Sequence, residues 1–425
     1  MILQTKNFSN IMTRYCRFNG YFEEELKTGR IAPEKLDLKN RTLEPLFYLF
    51  QSVRFPKTVM FLGEEPDPDW VRYWNETGIR LADVSLFRRD SENKIKIPSY
   101  DAQPFSETIW EEWGAVSEIT DSGEVKVSPN VLERSRKLNS KIRSTLWKDA
   151  RGFQEIPTRI LERPSDLAVL YGEWSELRIE SIVLKPEFGF SGRHKLLPLR
   201  WLDKSGVSEF AKNPSLASFF PCVAEPWLIR TSDVSCLYEF SSGVPTTLGS
   251  TIQLCDDQGK YLGAVLTTPR ESERISTELE SIATSLSQTF AAEYSGPVSI
   301  DGFEFCSQNS TEWRRMSEAN FRWSMGRMLL EFMRSDSIRE KTKFTGKRTS
   351  LLSLPVRRPI PNYSKWISTW GKSIGIHLLP LTPDRFLSGK SYGTSWILAE
   401  FPKNETDSIA EVIRRFRSEW RKRIL

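Results

Sequence analysis

Histidine is nearly missing from this 425-residue chain, which has only His194 and His377. Zinc sites of the usual Cys/His spacing and histidine charge relays are therefore poorly supplied. The five cysteines (Cys16, Cys222, Cys236, Cys255, Cys306) are odd in number, widely spaced and without a CxxC, which fits reduced thiols in the core better than a disulfide framework. No run approaches the ~18 uninterrupted apolar residues of a membrane span. The start MILQTKNFSNIM lacks an apolar stretch followed by a small-residue cleavage site, so a cytoplasmic protein is expected. Charge of one sign is also in short supply: 60 Lys+Arg against 55 Asp+Glu leaves +5, too little for the field of a dedicated nucleic-acid binder. There is no fixed-period repeat or low-complexity tract, which argues against a solenoid or propeller. Any catalysis has to run on carboxylates, lysines, arginines and backbone amides.

What is present is a globular composition, 39% hydrophobic and 12% aromatic, with length for two or three domains. Residues 1–130 read as an α/β domain, with EPLFYLFQSV at helical period and TVMFLG and IRLADVSLF as short strands. SETIWEEWGAV sets Trp110, Glu111, Glu112 and Trp113 together, either to hold a ligand or to bury two indoles beside surface acids. Residues 131–335 read as α+β with a largely antiparallel sheet: a basic amphipathic helix, VLERSRKLNSKIRSTLW, precedes strands such as SIVLKP, PCVAEPWLI, SCLYEFSS, TTLGSTIQL and KYLGAVLTT. Residues 336–364 are basic and contain prolines, as a linker would, and 365–425 form a small α/β appendage. The appendage ends in DSIAEVIRRFRSEWRKRIL, capped at Asp407 or Ser408, with Ile409, Val412, Ile413, Phe416, Trp420 and Ile424 on one face and six Lys/Arg from Arg414 to Arg423 on the other. A solvated docking helix is the expectation.

Three stretches carry chemistry. IVLKPEFGFSGR ends a strand at Lys185 and follows it with Gly189, Ser191, Gly192 and Arg193. Glycines there let backbone amides approach phosphate oxygens, and the lysine can reach the same anion. VAEPWLIRTSD runs an apolar strand into Glu225, Pro226, Trp227 and Leu228, with Asp233 beyond. An extended, proline-containing segment leaves backbone groups free to read an adenine edge, and a following carboxylate can accept from ribose hydroxyls. In SIDGFEF and SEANFRWSMGR, Asp301 ends one strand while Glu318, Asn320 and Arg322 share a face of the next. Two carboxylates and an amide oxygen supply hard ligands for Mg²⁺, and the arginine can clamp a transferring phosphoryl group. Polar alternation on a half-exposed strand gives the same text. Gly371-Lys372-Ser373 and Gly389-Lys390-Ser391 are not Walker A ends, because Trp366 and Asp384 stand where the earlier glycine is required.

Taken in order, these stretches resemble the ATP-grasp superfamily, over about residues 135–330, with weaker architectural similarity over 1–130. The resemblance implies two α+β lobes gripping ATP behind an N-terminal α/β domain. It implies Lys141 and Lys185 on the phosphates, Gly189 to Gly192 as the lid, Glu225 and Leu228 at adenine, and Asp233 near the ribose. Glu318 and Asn320 are then metal ligands, with Asp301 or Glu304 as the other carboxylate; the 17-residue separation of Asp301 from Glu318 is long for the family. It further implies an ATP- and Mg²⁺-dependent ligase, with Mn²⁺ as an alternative ion. Such an enzyme activates a small-molecule or peptide carboxylate as an acyl phosphate for attack by an amine or thiol. An ATP-binding regulatory or assembly module without turnover stays open, as does a homodimer. Nucleic-acid binding through the basic connector and last helix is the least favoured reading.

Overall fold

The computed structural model describes residues 13–33, 42–55, 57–89, 94–97, 108–189, 196–200, 204–256, 259–307, 310–345, 348–402 and 409–424. Its first layer is a parallel sheet in the order Asp83–Leu86, Thr58–Leu62, Arg14–Arg17, Ile109–Glu112. Parallel pairing needs crossover connections, and helices Glu44–Arg54 and Pro68–Glu76 supply them. The second starts where DPDW dictates. Asp67 caps it, accepting from the amides of Asp69 at 2.8 Å and Trp70 at 3.3 Å, and Pro68 fills the first turn, where no amide proton is needed. The helix then buries Trp70 and Trp74.

The expected single helix over VLERSRKLNSKIRSTLW is two, Pro129–Asn139 and Lys141–Ala150. Ser140 between them is extended, and its hydroxyl accepts from the amide of Arg143 at 3.1 Å. A serine hydroxyl competing for backbone amides favours a cap over a helix interior. Beyond it lies a small antiparallel sheet in the order Leu196–Arg200, Ser181–Pro186, Cys222–Pro226, Arg159–Leu161.

The largest element is an eight-stranded antiparallel sheet: Ser310–Asn320, Ser295–Ser307, Arg230–Ser241, Val244–Cys255, Tyr261–Leu266, Thr349–Val356, Gly393–Glu400, His377–Pro380. Two expectations change here. Residues 336–364 are not a linker: they hold helix Asp336–Thr342 and the strand Thr349–Val356, which pairs on both sides. The last sixty residues are accordingly not a separate appendage, because their strands extend this sheet. The basic residues flanking TSLLSLPV suggested solvent, but its own leucines and valine are fully buried, and burial of that apolar run decides the placement. The C-terminal helix, Ile409–Ile424, docks as expected, burying Val412, Ile413, Phe416 and Trp420, with the Trp420 indole donating to the carbonyl of Pro355 at 2.8 Å. Asp407 and Ser408 lie outside the described residues. Among the described residues, no helix is long and apolar enough to cross a membrane. The parallel sheet is welded to the large one by a shared core in which Phe50, Trp70 and Trp113 meet Trp323, Phe332 and Trp396.

Candidate active site

The cleft lies on one face of the large sheet, where strand pairing places polar residues in rows. Directly opposed residues of antiparallel strands point the same way. One row is Phe303, Asp233 and Gln253; the next is Glu318, Asp301, Ser235 and Thr251; the third begins Asn320, Ser299. All line the cleft, with Lys141, Lys185, Gly189 and Arg322. Asp301 and Glu318 are thus cross-strand partners, and the 17-residue gap between them is a hairpin. That hairpin carries a bulge, since Asp301 pairs with Glu318 but Phe303 pairs with Arg314. The bulge needs Gly302, where a Cβ would lie 2.7 Å from the carbonyl oxygens of Arg314 and Arg315.

The two carboxylates are set apart electrically. Burial and the neighbouring Glu318 push Asp301 up to about 7. Burial also acts to raise Glu318, but Lys141 and Arg322 outweigh it and hold its carboxyl below the usual range. Asp301 accepts from Gln253 Nε2 and Asn320 Nδ2, each at 3.0 Å. Lys141 Nζ sits 3.1 Å from Glu318 Oε1 and donates to the carbonyl of Gly189 at 3.0 Å. Arg322 donates to Asn320 Oδ1 at 2.8 Å and lies 2.9 Å from Glu23 Oε1 of the N-terminal layer. Among the described residues no three His, Cys, Asp or Glu converge. The residues that could hold a cation here are Asp301, Glu318 and the Asn320 amide oxygen, all hard oxygens of the kind Mg²⁺ takes.

Several expected residues sit elsewhere. Glu304 is ion-paired with Arg274 and does not line the cleft, which leaves Asp301 as the carboxylate facing Glu318. The Glu225 side chain is buried and does not line the cleft, accepting from Lys185 at 2.5 Å and Arg314 at 2.6 Å. Against the effect of burial, those two cations hold its carboxyl far below the ordinary range, while burial lowers Lys185. Pro226 is buried beside it. Trp227 and Leu228 line an adjoining groove that shares Arg230, Asp233 and Gln253 with the cleft. Asp233 itself accepts from Arg230 at 2.7 Å. Ser191 and Gly192 lie outside the described residues.

The far end of the cleft carries none of the site residues expected from the sequence. Helix Met325–Arg334 begins there, capped by Ser324. Gly326 allows it to approach: a Cβ would stand 2.9 Å from Thr251 Oγ1. The Thr251 and Ser299 hydroxyls are buried without a hydrogen-bond partner among the described residues. Serine ahead of MGRMLLEFM is a legible cap signal; the hydroxyls needed the strand register. Of the WEEW group, Trp113 is buried and lines the cleft, whereas Glu112 is not a surface acid but a buried partner of Arg17 at 2.8 Å.

By sequence the chain matches no protein-family model and no curated protein. By structure it is similar to N5-carboxyaminoimidazole synthetase from Staphylococcus aureus, with a TM-score of 0.54 at 10% identity over 98% of this chain and 100% of that one. The ADP complex of that synthetase gives 0.56 at 11% identity, covering 97% and 99%. A biotin carboxylase complex with β-γ-ATP from Campylobacter jejuni gives 0.53 at 13%, covering 85% of each chain. At these identities the likeness is one of fold: the chain shares with these structures an α+β architecture of antiparallel sheets joined to a parallel α/β layer.

Proposed function

We propose that the protein is an ATP-dependent ligase that activates a carboxylate as an acyl phosphate and passes the acyl group to an amine or thiol. The observation that carries this reading is the cross-strand pair Asp301 and Glu318, with Asn320 and Arg322 beside it, facing Lys141 and Lys185 across the cleft. Two solved structures of the same fold are nucleotide complexes, which supports ATP as the substrate of this cleft.

Mg²⁺ held by Asp301, Glu318 and Asn320 would supply positive charge to the β- and γ-phosphates. Lys141 and Lys185 offset the remaining phosphate charge, and Arg322 presents a planar fork to the γ-phosphoryl group. The acid is oriented beyond it, where the first amides of helix Met325–Arg334 and the unpartnered Thr251 and Ser299 hydroxyls offer donors to a carboxylate. Attack of a carboxylate oxygen on the γ-phosphorus expels ADP and forms the acyl phosphate. Attack of the amine or thiol on its carbonyl carbon then expels phosphate. Neither step needs a side-chain nucleophile, in keeping with the scarcity of histidine. Catalysis rests on positioning and electrostatics.

The test is ATP-dependent ADP release, assayed across panels of acids and acceptors, for the wild type, Glu318→Gln and Lys185→Ala. Loss of at least about a hundredfold in folded variants is expected, the order found when a fixed charge-stabilising group is removed. Undiminished turnover removes the assigned roles. Mg²⁺-dependent ATP binding with no ADP release from any pairing would instead favour a regulatory or assembly module.

A further inference from the structure

Lys185 does not reach the cleft alone. Its amine donates to Glu225 Oε2 at 2.5 Å and to Ser317 Oγ at 3.1 Å. Glu225 is held on its other oxygen by Arg314, at 2.6 Å. Arg314 is fully buried, does not line the cleft, and donates through its other arm to Glu155 at 2.9 Å and Gln154 at 3.0 Å. These groups come from separate layers. Lys185 and Glu225 belong to adjacent strands of the small sheet; Arg314 and Ser317 belong to the edge strand of the large one. The bulge that brings Asp301 opposite Glu318 also turns Arg314 and Ser317 toward the small sheet.

A lysine on its flexible stem carries ~2 kcal/mol of rotamer entropy, and ordering it only when ligand arrives subtracts from affinity. Here it is ordered beforehand. The arginine also decides how much charge the lysine offers. With Arg314 present, Glu225 divides its charge between two cations, and Lys185 keeps positive potential toward the cleft. Without Arg314, Lys185 is the one hydrogen-bond donor left to the buried Glu225 carboxylate among the described residues, with Lys148 adding charge without a hydrogen bond, and the carboxylate draws the amine back from the cleft.

We propose that Arg314, acting through Glu225, is a positioning residue for Lys185, and that this buried latch between the two sheets sets the affinity of the cleft for nucleotide. The proposal rests on Lys185 meeting the nucleotide phosphates.

The experiment is calorimetric titration of the full chain with ADP and Mg²⁺, comparing wild type, Lys185→Met, Arg314→Met and the double variant. Loss of a charge-assisted contact predicts about 10- to 100-fold weaker ADP binding for Lys185→Met and roughly 10-fold for Arg314→Met. The double variant should bind no more weakly than Lys185→Met, since Arg314 has nothing left to position. Arg314→Lys, which keeps the charge but not the fork, should recover part of the loss. A residue with a merely structural role would weaken both backgrounds equally. Wild-type affinity in Arg314→Met, or losses that multiply in the double variant, would overturn the proposal. Failure of the wild type to bind ADP would overturn the ligase reading itself. If Arg314→Met does not fold by near-ultraviolet circular dichroism, Arg314→Gln, which removes the charge but keeps a polar side chain, takes its place in the same cycle, with the same expectation.

Discussion

Lys148 offers a direct measure of how costly the buried charges behind the cleft are. Its side chain is 1% exposed and its amine donates to the carbonyl of Met316 at 3.0 Å. Burial, reinforced by Arg314 and Lys185 and opposed by Glu225 and Glu155, lowers its pKa to about 7. An unfolded lysine titrates near 10.4. Between these values the unfolded chain binds the proton and the folded chain does not, so stability rises with pH through this window. Below pH 7 both states are protonated and the whole penalty is present; above about 10.4 it is gone. The pKa difference corresponds to a penalty on the order of 5 kcal/mol at low pH and a slope of about 1.4 kcal/mol per pH unit in the window. Lys148→Met keeps the bulk and removes the charge, losing one hydrogen bond worth about 1 kcal/mol. Urea unfolding of both proteins from pH 6 to 10 should therefore show the variant as stable as the wild type or more so at pH 6, with that advantage disappearing by pH 10. Superimposable pH dependences would refute the argument. So would a variant several kcal/mol less stable at every pH, because Lys148 would then be a net stabilising partner of Glu225.

The remaining predictions concern the cleft and the sheet. Asp301→Asn should abolish the strengthening of ADP binding by Mg²⁺ in calorimetry, whereas Glu304→Gln, whose carboxylate serves Arg274, should leave it intact. Gly302→Ala puts a methyl group 2.7 Å from two backbone carbonyl oxygens; it should cost about 1–3 kcal/mol in denaturation, as overpacking does, and weaken Mg²⁺-ADP binding by displacing Asp301. Trp420→Ala empties the contact with Trp366 and Trp370. It should cost ~3–5 kcal/mol, and a value under 1 kcal/mol would mean the last helix is not part of the sheet's core.

The sequence by itself determined the chemistry-bearing stretches and their order, because each is a short-range pattern. A lysine at a strand end, a proline-containing hinge and alternating polar residues are set by the two-residue period and by turn chemistry. Lys185, Asp301, Glu318, Asn320 and Arg322 stand out by such patterns, Lys141 only by the family resemblance, and the structure brings all six to one cleft. The tertiary structure decided what depends on partners distant in sequence. Whether Asp301 or Glu304 faces Glu318 turns on hairpin register and a bulge. Glu225 lies where a base-reading residue was expected, yet its side chain is claimed by Lys185 and by Arg314, 89 residues away. Local charge made residues 336–364 look like a linker, although burial of TSLLSLPV between two other strands outweighs the solvation of its basic flanks. Composition and periodicity carry no sign of such pairings, since the free energy that selects them arises only when the strands meet.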